Sequence, residues 1–465
     1  MKKAEDFSEW YNDIVEKANL TDKRYPVKGM NVWTPYGWKI MRAIDTNIRE
    51  EFDATSHDEV CFPLLIPEDQ FAKEKEHIKG FDTEVFWVTH AGLTPLDVRL
   101  LLRPTSETAM YPIFSLWVRS HADLPLKTYQ IVNTFRYETK QTRAFIRVRE
   151  IHFFESHTCH ADFEDAERQV REDYEILERL AKRWCIPYKL LKRTDWDKFP
   201  GAAYTVGIDT VLPNGRTLQL GSIHQYMDNF SKPYEIKYEG EDGQHRYAHQ
   251  TTFGMSERLV GAIVAIHGDD KGLVLPPEVA TMQAVVIPVL AKGATEAVSQ
   301  AARELAEEIR QAGIRTHLDE RDLRPGAKYY DWELKGVPLR VELGIRDMEK
   351  GVVTLVRRDT GEKSLAHRKD AAGAVKDMLD KIAADLLTNA GSIMDASIVT
   401  VDSLDDLPDK FIRAGWCGTE ECGHRIEDRT ERNIIGTPVE GEGFKGMCVV
   451  CGKPTTTPVY IARAM

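Results

Sequence analysis

Residues 134–158 read TFRYETKQTRAFIRVREIHFFESHT. Apolar and polar side chains alternate in two runs, Thr134 to Glu138 and Phe145 to Phe154, on either side of the polar stretch Thr139 to Arg143. A period of two is the signature of a strand, and two such runs around a short polar loop predict an antiparallel hairpin. On the first strand Arg136 and Glu138 then share a face, and on the return strand Arg147, Arg149, Ile151, Phe153 and Glu155 do so. A face carrying arginines and glutamates is not an apolar core. It is either solvated, with surface ion pairs, or it lines a polar cleft that takes an anion. Planar guanidinium groups crowded among aromatics suit phosphates.

Outward from the hairpin, Glu59 to Ile66 and Thr128 to Glu138 also alternate, and Asp162 to Trp184 reads as a long helix. Strands joined without regularly interposed helices predict an antiparallel sheet with helices packed on it, over residues 1–280. A turn-rich segment, Gly268 to Gly272 followed by Pro276 and Pro277, ends this region. Beyond it lie a buried strand (Ala284 to Leu290) and a helix (Thr295 to Gln311) with Val298, Ala302, Leu305, Ile309 and Ala312 on one face. Strand Ile314 to Leu318, helix Ala327 to Lys335, strand Leu339 to Leu343, strand Val352 to Arg358 and helix Ala371 to Leu387 follow. This order predicts a separate α/β domain over 281–388 and leaves a third, small unit over 389–465.

The chain has 465 residues, 62 Lys+Arg against 74 Asp+Glu, a net charge of −12, and 42% hydrophobic residues. Such a length supports several domains, and such a composition is neither disordered nor membrane-spanning. The first twenty residues mix both charge signs with aromatics and read as an amphipathic helix without the core of a signal peptide, so a cytoplasmic protein with no membrane association is expected. Of seven cysteines, Cys61, Cys159 and Cys185 stand singly and are expected in cores. Cys417, Cys422, Cys448 and Cys451 form two close pairs, each followed by a glycine. Short spacings bring thiolates to one tetrahedral ion, and four thiolates close its shell, which predicts a structural Zn2+. The acidic balance argues against a protein that coats nucleic acid, although residues 311–370 hold 13 Lys+Arg against 11 Asp+Glu.

Three further polar stretches carry candidate chemistry. Arg103-Pro104-Thr105-Ser106-Glu107 precedes the hairpin. In Gln219-Leu-Gly-Ser222-Ile-His224 the period of two puts Ser222 and His224 on one face. Thr251 to Ala262 turns from strand to helix through Gly254. There Ser256 reads as an ordinary helix cap, with Arg258 in the first helical turn. A cation at a helix start is electrostatically misplaced and calls for an anion or an acid facing it.

Taken in order, these stretches resemble the three signature motifs of the class II aminoacyl-tRNA synthetases. The helix from Pro35 with the strand ending at Cys61 to Leu64 corresponds to the first, Phe135 to Phe154 to the second, and Gly254 to Arg258 to the third. Within the class, RPTSET (103–108), LQLGSIHQY (218–226) and DERDLRPGAKYYDWELKGVPLRVELG (319–344) are similar to the prolyl enzymes of archaeal and eukaryotic type, over essentially the whole chain. The α/β unit resembles the anticodon-binding domain of that family, and the cysteine unit its zinc-containing C-terminal domain.

The resemblance implies activation of L-proline with ATP to prolyl-adenylate, then transfer to the 3′ end of tRNA(Pro), with Mg2+ accompanying the phosphates. It implies Arg136 and Arg258 as the catalytic arginines. It places Thr105, Glu107, Arg136, His224 and Phe153 around proline, and Arg136, Glu138, Arg147, Gln219, Ser222, Ser256 and Arg258 around ATP. Glu333 and Arg340 would read anticodon bases, and the first motif implies a homodimer. Only about a hundred residues separate the second motif from the third, which leaves no room for an inserted editing domain, so misactivation of alanine and cysteine is expected. Members of the prolyl subtype often end in tyrosine, whereas this sequence reads Arg463-Ala464-Met465, so no role of that tyrosine carries over. Threonyl, glycyl or histidyl specificity is the nearest alternative. A catalytically silent tRNA-binding paralogue is another, but such paralogues generally lose motif arginines that Arg136, Arg147 and Arg258 retain here.

Overall fold

The computed structural model describes residues 2–73, 84–290 and 295–465. Its frame is an 11-stranded sheet built from β1 (Asp58–Glu59), β2 (Leu126–Phe135), β3 (Glu150–His160), β4 (Lys189–Lys192), β5 (Tyr204–Val211), β6 (Thr217–Met227), β7 (His249–Ser256) and four strands from the C-terminal unit. Along the sheet the order is β1-β2-β3-β7-β6-β5-β4, antiparallel except for the parallel β1–β2 edge. The antiparallel sheet expected from the hairpin is therefore present.

Helices α1 (Phe7–Lys17), α2 (Pro35–Ala54), α3 (Glu107–Trp117), α4 (Phe163–Trp184) and α5 (Arg258–His267) accompany these strands. Most of them contribute to one large core with the sheet. Helix α4 shows why the sequence folds this way. Asp162 accepts a hydrogen bond from the N–H of Asp165, and Glu164 and Asp165 sit at the positive end of the helix dipole. Lys182 and Arg183 occupy the last turn, and Cys185 stops the helix in the left-handed region at φ 54°. Val170, Ile176, Leu177, Leu180 and Trp184 share one helical face and are buried.

The hairpin differs from its sequence reading in where the strands stop. The β2–β3 register closes at Phe135 opposite Glu150, and residues 136–149 form a loop. The N–H of Tyr137 turns away to the carbonyl of Glu84, and Phe145 has φ 62°. Alternation persists past the strand ends because Phe145, Ile146 and Val148 pack under the loop while the arginines stand over it. Arg136, Glu138, Arg147 and Arg149 are thus loop residues and not a sheet face. The expected strand Glu59 to Ile66 is also divided: Asp58–Glu59 joins the main sheet, and Leu65–Pro67 pairs with Leu100 to Leu102 in a small separate one. Cys61 between them is exposed, whereas Cys159 and Cys185 are buried as expected.

The α/β unit has strands β8 (Ala284–Val289), β9 (Thr316–Leu318), β10 (Leu339–Gly344), β11 (Val352–Arg357) and β12 (Lys363–His367) in the order β9-β8-β10-β11-β12. Helix α6 (Thr295–Gln311) buries Val298, Ala302, Leu305 and Ile309 against it, while Ala312 lies past the helix end and is exposed. Helices α7 (Pro325–Lys335) and α8 (Ala371–Ser397) complete the unit. The last helix is ten residues longer than its periodicity predicts and crosses residue 388, because Ala390 and Met394 continue its buried stripe.

It leads into β13 (Ile398–Val401), β14 (Phe411–Gly415), helix α9 (Glu420–Thr430), β15 (Asn433–Pro438) and β16 (Pro458–Ala462). These four strands extend the main sheet in the order β4-β15-β16-β14-β13, with Thr437 opposite Lys192 and Pro438 opposite Leu191.

Candidate active site

Two adjoining clefts open over the middle of the sheet and share Arg136, Phe153, Gln219, Ser222 and Gly254. The first, of about 290 Å³, is bounded by Thr105, Glu107, Glu155, His157, Phe199 and His224. The second, of about 230 Å³, is bounded by Glu84, Glu138, Ile146, Arg147, Ser256, Glu257 and Arg258.

In the first cleft Glu107 opens helix α3 and is buried. Its carboxylate accepts from the Thr105 hydroxyl at 2.5 Å and from the Tyr226 hydroxyl at 2.9 Å, while Thr252 donates to that phenol oxygen at 3.1 Å. These donors fix the carboxylate without neutralising it, so it can accept a cationic N–H. Ser222 and His224 do fall on one face of β6. The His224 ring is held at Nε2 by the Ser222 hydroxyl at 3.0 Å and at Nδ1 by the Thr205 hydroxyl at 2.8 Å. Burial, with His157 and Arg193 nearby, pushes His224 down to about 3, so it is neutral at pH 7. Under this pocket Glu155 accepts from Ser106, from Gln130 at 3.0 Å and from His157 at 3.0 Å. Burial works against both charges, yet the pairing holds the Glu155 carboxyl below and the His157 imidazole above their ordinary values.

The second cleft is arginine-rich. Arg258 begins helix α5 and donates to the carbonyls of Ile146 at 2.9 Å and Gln219 at 3.1 Å. Burial, then repulsion from Arg136 and Arg147, brings its guanidinium down to about 10. Three like charges facing one space relieve their repulsion by taking up an anion. Arg147 pairs with Glu138 at 2.8 Å and donates to the Met465 carbonyl oxygen at 2.9 Å. Arg136 donates to the carbonyl of Pro104 at 3.3 Å and lies half-buried between the clefts, lining both. The Ser256 side chain does not cap α5 as expected: Glu257 occupies the cap position, and Ser256 ends β7 with its hydroxyl 3.3 Å from the N–H of Arg258. All the proline- and ATP-directed residues of the sequence reading therefore lie around this pair of clefts.

The sequence reading placed Glu155 on the face of Phe153 without a role in the site, and it did not single out the wall residues His157, Phe199, Glu84 and Glu257. Glu155 and His157 continue the period of two from Phe153, which was a usable signal. Phe199 lies in an irregular segment, where no periodicity marks it.

Elsewhere, Glu333 of α7 and Arg340 of β10 are brought together, 3.2 Å apart. Arg340 also pairs with Glu342 at 2.8 Å and lies 4.0 Å over the Tyr329 ring. The sulfurs of Cys417, Cys422, Cys448 and Cys451 all lie within 4.8 Å of one another. Four Zn–S bonds of about 2.3 Å put tetrahedral sulfurs about 3.8 Å apart, so an all-thiol set at this spacing fits zinc.

Residues 86–267 match the family model "tRNA synthetase class II core domain (G, H, P, S and T)", 283–378 match "Anticodon binding domain", and 402–465 match "Prolyl-tRNA synthetase, C-terminal". A proline--tRNA ligase of Thermococcus kodakarensis is 56% identical over 99% of this chain and 98% of its own. The chain belongs to the proline--tRNA ligase family. Another member, from Methanosarcina mazei, is 51% identical over 99% of this chain and 97% of its own. A Giardia lamblia prolyl-tRNA synthetase, solved in complex with prolyl-adenylate, superposes with a TM-score of 0.96 at 35% identity over 100% of this chain and 99% of its own. The family's class II core, anticodon domain and C-terminal domain account for the three regions of the sequence.

Proposed function

We propose that the chain is a proline--tRNA ligase, which joins L-proline to ATP as prolyl-adenylate with release of pyrophosphate and then esterifies tRNA(Pro). The observation that carries this reading is Arg136, half-buried and lining both a carboxylate-bearing pocket and an arginine-lined one. The proline carboxylate is itself the nucleophile, so no protein base is needed. One of its oxygens attacks the α-phosphorus, the bond to the β-phosphate oxygen breaks, and pyrophosphate leaves with that electron pair. Catalysis then amounts to alignment and neutralisation of charge.

Arg136 bridges the carboxylate and the α-phosphate. Arg258 and Arg147 face the remaining phosphates and the base, with Glu138 holding Arg147 in place. Gln219, Ser222 and Ser256 line the nucleotide's path. Glu107 and Thr105 receive the secondary ammonium, and a neutral His224 adds no repulsion to it. Phe153 and His224 bound the ring. Magnesium enters with ATP, and Glu84 and Glu138 are hard oxygen donors on the nucleotide cleft of the kind it prefers. In the second step the terminal ribose hydroxyl of tRNA attacks the adenylate carbonyl and AMP leaves. Glu333 and Arg340 contact anticodon bases through the edges not used in their own ion pairs. Cys417, Cys422, Cys448 and Cys451 would hold a structural zinc, with all four thiolates as its ligands. The active particle is a homodimer, supported by exposed Leu64, Leu65, Leu116 and Trp117 around the Phe62–Trp117 ring contact. No described helix is long and apolar enough to cross a membrane. The proposed site of action is the cytoplasm, a reading supported by the likeness to proline--tRNA ligases.

The test is amino-acid-dependent ATP–pyrophosphate exchange across the twenty amino acids, without tRNA. Proline should dominate, and Arg136→Ala or Glu107→Ala should lower kcat/KM for proline at least about 10²-fold. Exchange with no amino acid at all, in a folded chain, would leave only the tRNA-binding reading.

A further inference from the structure

One wall of the amino-acid pocket is not part of the sheet. It is the segment 193–200, which contributes Arg193, Asp197, Lys198, Phe199 and Pro200 to the first cleft. Phe199 faces the pocket, its ring 4.8 Å from that of His224 and 5.9 Å from that of Tyr226. Past the bond from the N–H of Arg193 to the Thr205 carbonyl at 2.8 Å, the segment has no ladder to hold it. Its remaining bonds are turns, from Asp197 and Lys198 to the Thr194 carbonyl and from Ala202 to the Phe199 carbonyl, and side-chain contacts to the following residues, from the N–H of Phe199 to the Thr205 hydroxyl at 2.9 Å and from Lys198 to the Ala203 carbonyl at 3.4 Å.

On the side away from the pocket it is held by the cysteine unit, while Phe199 itself rests on the cluster that includes Tyr226 and Phe230. Trp196, three residues before Phe199, points away from the pocket and packs against the hydrophobic cluster that includes Trp416, Cys422 and Cys448. Its ring lies 4.6 Å from that of His424 and edge-on to Trp416 at 6.1 Å, and its Nε1 donates to Glu427 at 3.2 Å. Gly423, directly after the second cysteine, is where the ring seats: a Cβ there would lie 2.3 Å from Cη2 of Trp196. The near end of the segment is tied to the same unit. Arg193 donates to the Ile435 carbonyl on β15 and pairs with Asp209 at 2.8 Å.

We infer that Trp196 is a positioning residue, through which the four-cysteine unit holds the Phe199 wall of the amino-acid pocket in place. The inference rests on the reading that this pocket takes proline. It assigns the C-terminal unit a part in amino-acid affinity, although no cysteine lines either cleft. The nucleotide cleft has no residue from segment 193–200 in its walls, so the effect should be confined to one substrate.

The experiment uses the full chain and follows pyrophosphate exchange while proline and ATP are varied separately. Hydrogen–deuterium exchange over 194–200 and zinc per chain are measured on the same samples. Trp196→Ala should raise KM for proline about tenfold with KM for ATP within about twofold, and should speed amide exchange in the segment. Trp196→Phe keeps a ring on Gly423 and should restore most of the affinity. Gly423→Ala displaces the ring from the opposite side and should reproduce the proline-selective loss. If Trp196→Ala does not fold, Gly423→Ala decides on the same criteria. A proline KM within about twofold of the unmodified chain, or proline and ATP constants rising together, overturns the inference. Absence of proline-dependent exchange in the unmodified chain sinks the reading of the pocket itself, and the inference with it.

Discussion

A methyl group added to Gly254 would sit 2.8 Å from Cζ of Phe153, closer than carbon atoms approach without one of them moving. The ring stands between the two clefts, and the added carbon would push it into them. Gly254→Ala is therefore expected to lower kcat/KM for both proline and ATP about tenfold or more, with melting temperature little changed; an effect on one substrate alone would contradict this placement. The pocket's selectivity has a different physical limit. Phe153 and His224 can exclude larger side chains, but a smaller amino acid forfeits only apolar contacts worth about 1–3 kcal/mol. Alanine and cysteine should therefore support pyrophosphate exchange, at roughly 10²-fold lower kcat/KM than proline, and release no higher than blank would refute it. At this scale most of the cleft-lining residues were legible, because charged residues at motif positions announce themselves, although Arg136, Glu138 and Arg147 stand in a loop and not on the strands read for them. Glu155 and His157 were legible in principle as the next steps after Phe153. Phe199 and Trp196 were not, since an aromatic in an irregular segment reads like any core residue.

Helix α4 carries a buried acid that makes its stability depend on pH. Asp173 accepts from Gln169 at 2.9 Å, and burial pushes its carboxyl up to about 8, with Glu172 adding to the rise and Lys127 opposing it. An unfolded aspartate ionises near 4, so between about pH 4 and 8 the folded chain binds one proton more than the unfolded one. This contribution is fully present below pH 4 and is lost as pH rises through about 8, with a slope of about 1.4 kcal/mol per unit. His57, which Gln169 also contacts at 3.3 Å, acts oppositely at lower pH. Burial holds it down to about 3, and its contribution is lost as pH falls below about 6.5. Between pH 6.5 and 8 the Asp173 slope is therefore the clearer. Asp173→Asn should flatten the fall in denaturant-measured stability over that window, and parallel curves for the two proteins would show that Asp173 is ionised in the fold. Elements were read well from sequence where burial is one-sided, as in α4. They were misread where apolar residues recur outside regular structure, as in the loop 136–149, whose Phe145 and Val148 mimic a strand. The extent of α8 depended on Ala390 and Met394 finding a surface to bury against, which local pattern does not show.

The main sheet ties the ends of the molecule together. Strand β4 has β5 on one side and β15 of the cysteine unit on the other, so the unit seen in sequence as a separate appendage is part of the catalytic frame. Cys448→Ser, or chelation of the metal, is expected to lower the melting temperature of the whole chain by several degrees and to abolish stoichiometric zinc; an unchanged melt with zinc gone would mean the sheet holds without it. Sedimentation should find a dimer that Trp117→Glu shifts toward monomer, because a charge would be buried without a partner at the proposed interface. The same pairing has a temporal consequence. A ribosome that has released β4 must add roughly 240 more residues before β15 emerges, a wait of about 10–50 s at ordinary elongation rates. Through that interval the nascent chain presents an open strand edge beside half-built pockets, so the step most exposed to wrong pairing comes late in synthesis, and the yield of soluble protein should respond to chaperone supply more than the stability of the finished molecule does.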